Sequence, residues 1–397
     1  MSNLQIKTKK WFQSGNIDTG FLLIVLILLT VGVVMMFSAS YVSASFSAKT
    51  NYNPYYYFKR QALFAVAGIA AMFVVSRVHV TVFKRFAPII GLVCFALLVL
   101  VLIFPAVIPG KEEFRRWLHI PGLPEFQPSE LAKFGLIVYC ARLLSERVKK
   151  PRAALNEPDR SIPLCFALIL VTCVLVYAEN HLSCTILMLG IGAVMLVLGG
   201  VRKRWIVLVL GAAIFGLMIF LAFHDSIIEK LPIGAYAKSR LSAWVNKDYS
   251  DRGTRWQTNQ SLYAIGSGGL FGVGLGNSKQ KHLYMPEPQN DFIFAIVCEE
   301  IGFVGAVLVL LLFALLIWRG FVIAMRNKDR FSALLVMGVM AQVGLQTILN
   351  ILVVTDTIPN TGISLPFFSY GGSSLLVLLA ETGVVLSVSR ASNLEKQ

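Results

Sequence analysis

The sequence predicts an all-α polytopic membrane protein of about ten transmembrane helices, and three observations carry that expectation. Hydrophobic residues make up 56% of the 397-residue chain and charged ones only 14%, with a mean hydropathy of +0.70, far more apolar surface than one water-soluble core could hide. The apolar residues fall into runs of roughly 20, the length that crosses about 30 Å of hydrocarbon. Basic residues gather in alternate loops, as they do when one side of a membrane retains them.

Taken in order, the runs lie near 18–42, 60–77, 86–108, 129–146, 161–179, 183–201, 204–223, 291–318, 331–355 and 365–389. The first follows Lys9 and Lys10 and contains Ser38-Ala39-Ser40, small residues that would suit signal-peptide cleavage; its apolar length exceeds a typical signal core, so a retained span is expected. Lys7, Lys9, Lys10, then Arg77, Lys84, Arg85, then Arg142 to Arg160, then Arg202 to Arg204, then Arg319 to Arg330, and the tail all fall on one side. With Arg390 at the edge of the tail, those segments hold 21 of the 36 Lys and Arg. That side is expected to be cytoplasmic, with both termini inside and one long extracellular loop, 224–290, before the eighth helix. The eight basic residues of that loop do not count against this, because the rule applies to short loops. The expected organisation is a cytoplasmic segment 1–17, one integral membrane domain 18–390 and a cytoplasmic tail 391–397. The formal charge of +15 is thereby a topology signal, and no nucleic acid is implied.

Cys94, Cys140, Cys165, Cys173, Cys184 and Cys298 lie in or beside apolar runs and read as small buried hydrophobes. The five histidines form no zinc pattern, so motifs indicate no metal site.

Polar residues inside spans are costly and informative. Gln342, Gln346 and Asn350 recur every four residues on one helical face, as interhelical hydrogen-bond partners or as the lining of a polar cavity. Glu130 and Lys133 can neutralise each other across one helical turn, either as a tether near a site or in contact with substrate. Glu299 and Glu300 stand eight and nine residues past Asp291, about 12 to 14 Å further along a helix, and only one can share its face. Glu381 has no evident partner.

The loops carry the remaining signals. Arg115, Arg116 and Trp117 sit in an aromatic, cationic segment rich in proline. Ala235 to Val245 reads as an amphipathic helix lying in the interface, with Lys238 and Arg240 on its polar side and Leu241 and Trp244 on the other. Gly266 to Gly276 lacks the strand and GK[ST] of a nucleotide loop and reads as backbone packed closely against helices. Ile358 to Ser374 brings Pro, Gly and hydroxyl groups to the entry of the last span, and irregular backbone there must be shielded or wet. Asp291 stands where the long loop, ending Met285-Pro286-Glu287-Pro288-Gln289-Asn290, meets the apolar run Phe292 to Val297. A carboxylate at that edge is expensive.

Several of these segments resemble the shape, elongation, division and sporulation (SEDS) family, the FtsW/RodA/SpoVE peptidoglycan polymerases. Pro359 to Ser374 is similar to P-x-TG-x-x-LPF-x-SYGGSS, and Pro286 to Glu300 to PE-x-x-x-DFIFA-x-x-x-EE. Arg116-Trp117, Gln127 to Lys133 and Gly266 to Gly276 match further family segments, and the likeness runs across nearly the whole chain. Where many members have QPDLGT this chain has Glu179-Asn180-His181-Leu182-Ser183-Cys184-Thr185, so no role of that acid carries over. This variant and Asn360-Thr361-Gly362 incline toward the FtsW/SpoVE branch. The resemblance implies an inverting glycosyltransferase of the bacterial cytoplasmic membrane, its site facing outward, that joins lipid II to glycan carried on undecaprenyl diphosphate during division or sporulation. It also implies a class B penicillin-binding protein and other divisome proteins as partners.

Because a lipid diphosphate is already a good leaving group, one base for the acceptor hydroxyl suffices, unlike in glycoside hydrolysis. Asp291 is the expected base, its pKa raised by the apolar flank and Glu287. Arg116, Lys133 and Arg240 are expected to hold the diphosphate, with Glu130, Ser369 and Tyr370 completing the substrate site. No cofactor is assigned, and a divalent cation at the diphosphate is left open. Two other classes remain: a lipid II flippase, which would place its critical carboxylate near the midplane, and a non-catalytic scaffold activating the penicillin-binding protein, for which Asp291 would be dispensable.

Overall fold

The computed structural model describes residues 15–105, 115–118, 126–147, 161–201, 204, 235–245 and 254–394. Its helices are α1 (Thr19–Ser45), α2 (Tyr56–Arg77), α3 (Val80–Ile103), α4 (Pro128–Arg147), α5 (Ser161–Ala178), α6 (Leu182–Leu198), α7 (Ala235–Val245), α8 (Thr254–Ser267), α9 (Ile293–Arg326), α10 (Arg330–Val354) and α11 (Gly372–Leu394). One antiparallel bridge pairs Leu118 with Phe126. Seven helices, α1, α2, α3, α5, α9, α10 and α11, are long and apolar enough to cross a membrane. α6 is apolar but shorter, and α4 carries Glu130, Lys133, Arg142, Glu146 and Arg147 along its 20 residues. Nine of the ten expected runs coincide with helices; the seventh, 204–223, lies outside the described residues except for Arg204.

Short polar side chains start several helices by accepting a first-turn N–H that the helix itself cannot satisfy. Asp18 Oδ1 accepts from Phe21 N at 2.9 Å ahead of α1, and Asp329 Oδ2 from Ser332 N at 3.1 Å ahead of α10. α9 and α10 pack together, with α1 against α9 and with α4 and α6 against α10; α2 runs along α11, α3 along α4 and α5 along α6. The residues expected on the basic side meet at one end of the bundle. There Arg319 Nε pairs with Asp18 at 2.9 Å, Lys84 with Asp329 at 3.8 Å, and Arg142 Nη1 donates to Lys84 O at 3.3 Å.

Several boundaries differ from the sequence reading; α3, for one, is Val80–Ile103 against the expected 86–108. The last span was expected from 365, yet α11 begins at Gly372: Pro366 has no N–H to give and disfavours helix at Leu365, and Phe367 is left-handed, φ 66°. Residues 365–371 form a buried turn instead, approaching α1 so closely that a Cβ on Gly32 would collide with the Phe367 carbonyl. The eighth span was expected over 291–318, but α9 runs from Ile293 to Arg326 and breaks at Gly302, φ 69° and ψ −173°. α11 continues to Leu394, four residues into the expected tail.

The long loop 224–290 is largely built in its described parts. Its amphipathic segment is α7, with the expected bounds. Trp244 Nε1 donates to Asp356 O at 3.1 Å and Arg240 reaches Asn360, so α7 docks on the α10–α11 connection. The Trp244 indole N–H and the Arg240 guanidinium find carbonyl partners there.

Candidate active site

The α10–α11 connection, 355–371, is the frame of the site, and the polar face of α10 holds it. Gln346 Nε2 donates to Ser364 O at 3.0 Å and to its Oγ at 3.1 Å. Asn350 Nδ2 donates to Ile363 O at 2.6 Å and to Asp291 O at 2.7 Å, tying the connection to the start of α9. Gln342 Nε2 donates to Glu381 Oε2 at 2.7 Å, which supplies the partner the sequence left unnamed. Of the three, Gln342 bonds to a neighbouring helix, while Gln346 and Asn350 bond to the connection and, for Asn350, to Asp291 ahead of α9.

Asp291 is half-buried, one residue before the cap of α9. Its carboxylate lies against Gly362, where a Cβ would come within 3.0 Å of Oδ2; that glycine also has φ 74°, a conformation L side chains avoid. The preceding residues are clamped in turn. Ser369 Oγ accepts from Leu365 N and donates to Asn290 O, both at 2.7 Å, and Tyr370 N donates to Gln289 O at 2.9 Å. Gln61 of α2 grips the other edge, donating to Ser369 O at 3.2 Å and accepting from Gly371 N at 3.3 Å. The Tyr370 ring meets Tyr57 edge-on at 4.8 Å.

The expected cations reach the same frame by different routes. Arg240 Nη1 donates to Asn360 Oδ1 at 2.6 Å and to its carbonyl. Lys133, 2% exposed, pairs with Glu130 Oε2 at 3.0 Å and lies 3.4 Å from Gln346 Oε1, so it joins the connection through Gln346. Arg116 donates to Asn180 O in the α5–α6 turn, and Ser183 in the first turn of α6 donates to Thr361 O. Arg240, Lys133, Glu130, Ser369 and Tyr370 are thus bonded to 358–371 or to the residues before Asp291, directly or through Gln346, while Arg116 reaches the neighbouring α5–α6 turn.

That α5–α6 turn is an unusual environment. Glu179 is fully buried, and among the described residues neither carboxylate oxygen has a hydrogen-bond partner. Burial pushes its pKa up to about 8, with the Arg116 cation pulling the other way. His181 Nδ1 lies 3.4 Å from Gln127 Nε2 and 3.5 Å from Ser129 Oγ. Burial first, then the Arg116 and Lys133 cations, hold that imidazole well below its usual range and keep it neutral. Among the described residues no three His, Cys, Asp or Glu side chains gather to hold a metal ion.

Residues 19–394 match the family described as cell cycle protein, the FtsW, RodA and SpoVE family. The chain belongs to it. Among FtsW/RodA/SpoVE relatives, it is 38% identical over 375 residues to stage V sporulation protein E of Bacillus subtilis, covering 94% of this chain and 97% of that one. It is 34% identical over 383 residues to the probable peptidoglycan glycosyltransferase FtsW of Trichlorobacter lovleyi, covering 96% and 95%. A solved structure described as structural coordination of polymerization and crosslinking by a peptidoglycan synthase complex superposes with a TM-score of 0.73 at 26% identity, covering 95% of this chain and 98% of that one. The rod shape determining protein RodA of Thermus thermophilus superposes at 0.65 and 27%, covering 94% and 97%.

For this member of the FtsW/RodA/SpoVE family, the sequence reading missed Gln61, Ser183 and Glu179 as parts of the frame. Gln61 is one polar residue at the head of an apolar run, and nothing in its spacing points to Ser369. Ser183 and Glu179 belong to a segment that departs from the commonest family pattern.

Proposed function

We propose that this protein polymerises glycan strands by transferring the growing chain from its lipid diphosphate to lipid II, with Asp291 as general base. The class of activity follows the relatives named peptidoglycan glycosyltransferase. The observation that carries the residue assignment is the clamp on Asp291: its carbonyl is held by Asn350, the residues before it by Ser369 and Tyr370, and its carboxylate abuts a glycine that leaves room beside it. Preorganisation of this kind is what a base needs to meet a hydroxyl within hydrogen-bond reach.

In the reaction the acceptor hydroxyl oxygen forms a bond to the donor anomeric carbon and the carbon–oxygen bond to the diphosphate breaks. Asp291 takes the hydroxyl proton, and the lipid diphosphate leaves with the bonding pair. Arg116 and Arg240 supply positive charge for that leaving group. Glu130 and Lys133 act as a buried tether that sets the connection through Gln346, while Ser369 and Tyr370 position Asp291 and border the sugar site.

The full reading has ten helices, with both termini cytoplasmic and Asp291 at the outer side of the bacterial cytoplasmic membrane. Asn350 supports that depth, because it stands 20 residues, about 30 Å, from Arg330 at the basic end of α10. A class B penicillin-binding protein is the proposed partner, as the structural neighbour is described as a synthase complex that coordinates polymerization and crosslinking, and division or septum synthesis is the proposed setting. Purified protein with its partner is expected to polymerise lipid II in detergent, where no membrane needs crossing, and Asp291→Asn to lose all but a background rate while still binding the partner. Wild-type polymerisation by Asp291→Asn would overturn the assignment.

A further inference from the structure

The glycine-rich segment 266–277 carries no charged residue and takes no part in the chemistry above. It folds as a hairpin at the break in α9. At Gly302 the helix cannot pair its own backbone, and the hairpin does so instead. Phe303 N donates to Gly269 O at 2.9 Å and Val304 N to Leu270 O at 3.1 Å, while Glu299 O accepts from Val273 N at 2.9 Å and Glu300 O from Gly274 N at 3.0 Å. Close approach requires the glycines: a Cβ on Gly268 would strike Cys298 O, one on Gly272 would strike Glu300 O, and one on Gly302 would strike Gly272 N. The carboxylates at the break are turned inward. Glu300 Oε1 pairs with Lys281 Nζ at 2.8 Å and accepts from Ser38 Oγ at 2.8 Å; Glu299 Oε2 accepts from Ser278 Oγ at 2.5 Å.

What faces outward is apolar. Leu270 is 63% exposed, Phe271 81% and Leu275 59%, and they adjoin Phe303 at 63%. From Phe303 the exposed stripe of α9 continues through Leu308 and Leu311 to Trp318 beside Arg319, the surface that a spanning helix presents to lipid. The level agrees. Ser38, bonded to Glu300, is 20 residues or about 30 Å along α1 from Asp18, which pairs with Arg319 at the other end. Irregular backbone survives at a hydrocarbon boundary only where its polar groups are satisfied within the protein, and here the broken helix satisfies them.

We propose that the 268–276 hairpin is a membrane anchor: Leu270, Phe271 and Leu275 insert among the acyl chains of the leaflet at the Asp291 end. The anchor holds the following segment, 278–291, at the bilayer surface through Ser278 and Lys281, so that Asp291 is presented at a fixed height to lipid-borne substrate.

The test uses the full chain in nanodiscs of phosphatidylethanolamine and phosphatidylglycerol, without a partner. Phe271→Cys and, separately, Leu275→Cys carry a nitroxide spin label; the six native cysteines are buried. Leu308→Cys serves as lipid-facing reference and Tyr52→Cys, 64% exposed in the α1–α2 turn, as water-facing reference. Collision with oxygen relative to a water-soluble nickel chelate is expected to be several-fold higher at 271 and 275 than at 52, and close to the value at 308. A ratio at both positions matching that at 52 would put the hairpin in water and overturn the anchor. Protection from both relaxers would also overturn it, because it would place a protein surface, such as a second copy, against the hairpin.

Discussion

Asp291 is set by neighbours that are individually ordinary. Gly362 leaves space at its carboxylate, and Asn350 and Ser369 bond to backbone on either side of it. The α5–α6 turn adds two groups whose protonation differs between the folded and unfolded chain. Glu179 keeps its proton in the folded protein up to about pH 8, against an ordinary value of 4.5; His181 refuses the proton that an unfolded chain accepts below 6.5. Below 6.5 the His181 difference acts the other way, since the unfolded chain gains an imidazole proton that burial disfavours in the folded one. Between 6.5 and 8 the folded chain alone holds the Glu179 proton, so stability falls as pH rises, by up to about 1.4 kcal/mol per unit. Thermal unfolding in detergent is expected to show that decline in wild type and a flatter profile in Glu179→Gln. An identical slope in the variant would exclude Glu179 as its source.

At the scale of elements, α10 and the 358–371 connection behave as one unit. Removing the Asn350 amide leaves the carbonyls of Asp291 and Ile363 without a partner, a cost of roughly 1–3 kcal/mol, and lets the start of α9 shift. Asn350→Ala is therefore expected to lower kcat at least about tenfold with KM little changed, in protein that still purifies from membranes. A larger change in KM than in kcat would point to a substrate contact instead. The Glu130–Lys133 pair makes a sharper test. Lys133→Met strands a buried carboxylate and is expected to cost about 3–5 kcal/mol, whereas adding Glu130→Gln to it should restore most of that stability. A tether predicts that the double variant regains activity along with stability. A double variant that is stable and inactive would show that Lys133 touches the substrate.

For the whole molecule, the charge asymmetry of the loops and the gathered ion pairs at one end of the bundle make a directional prediction. His282→Cys, exposed in the loop before Asp291, is expected to react with a membrane-impermeant maleimide in intact cells, and Lys328→Cys, exposed between α9 and α10, only after permeabilisation. The reverse pattern would turn the site inward and remove the proposed access to lipid-linked sugar on the outer face.

Much of this architecture is local physics and so was legible in order along the chain. Runs of apolar residues near α1, α2, α5 and α10 announce helices because the hydrocarbon demands about 20 residues whatever they pack against. Alternating basic loops announce orientation for the same reason. The segment patterns around Asp291 and 359–374 identified the family and the residue to suspect. What needed the tertiary structure was every partnership across the chain: Gln61 with Ser369, Asn350 with Asp291, Ser183 with Thr361, Glu300 with Lys281 and Ser38. The break in α9 and the start of α11 at Gly372 belong there too. Each depends on which distant backbone satisfies a carbonyl or an N–H that a helix has released, and periodicity along one segment carries no record of that.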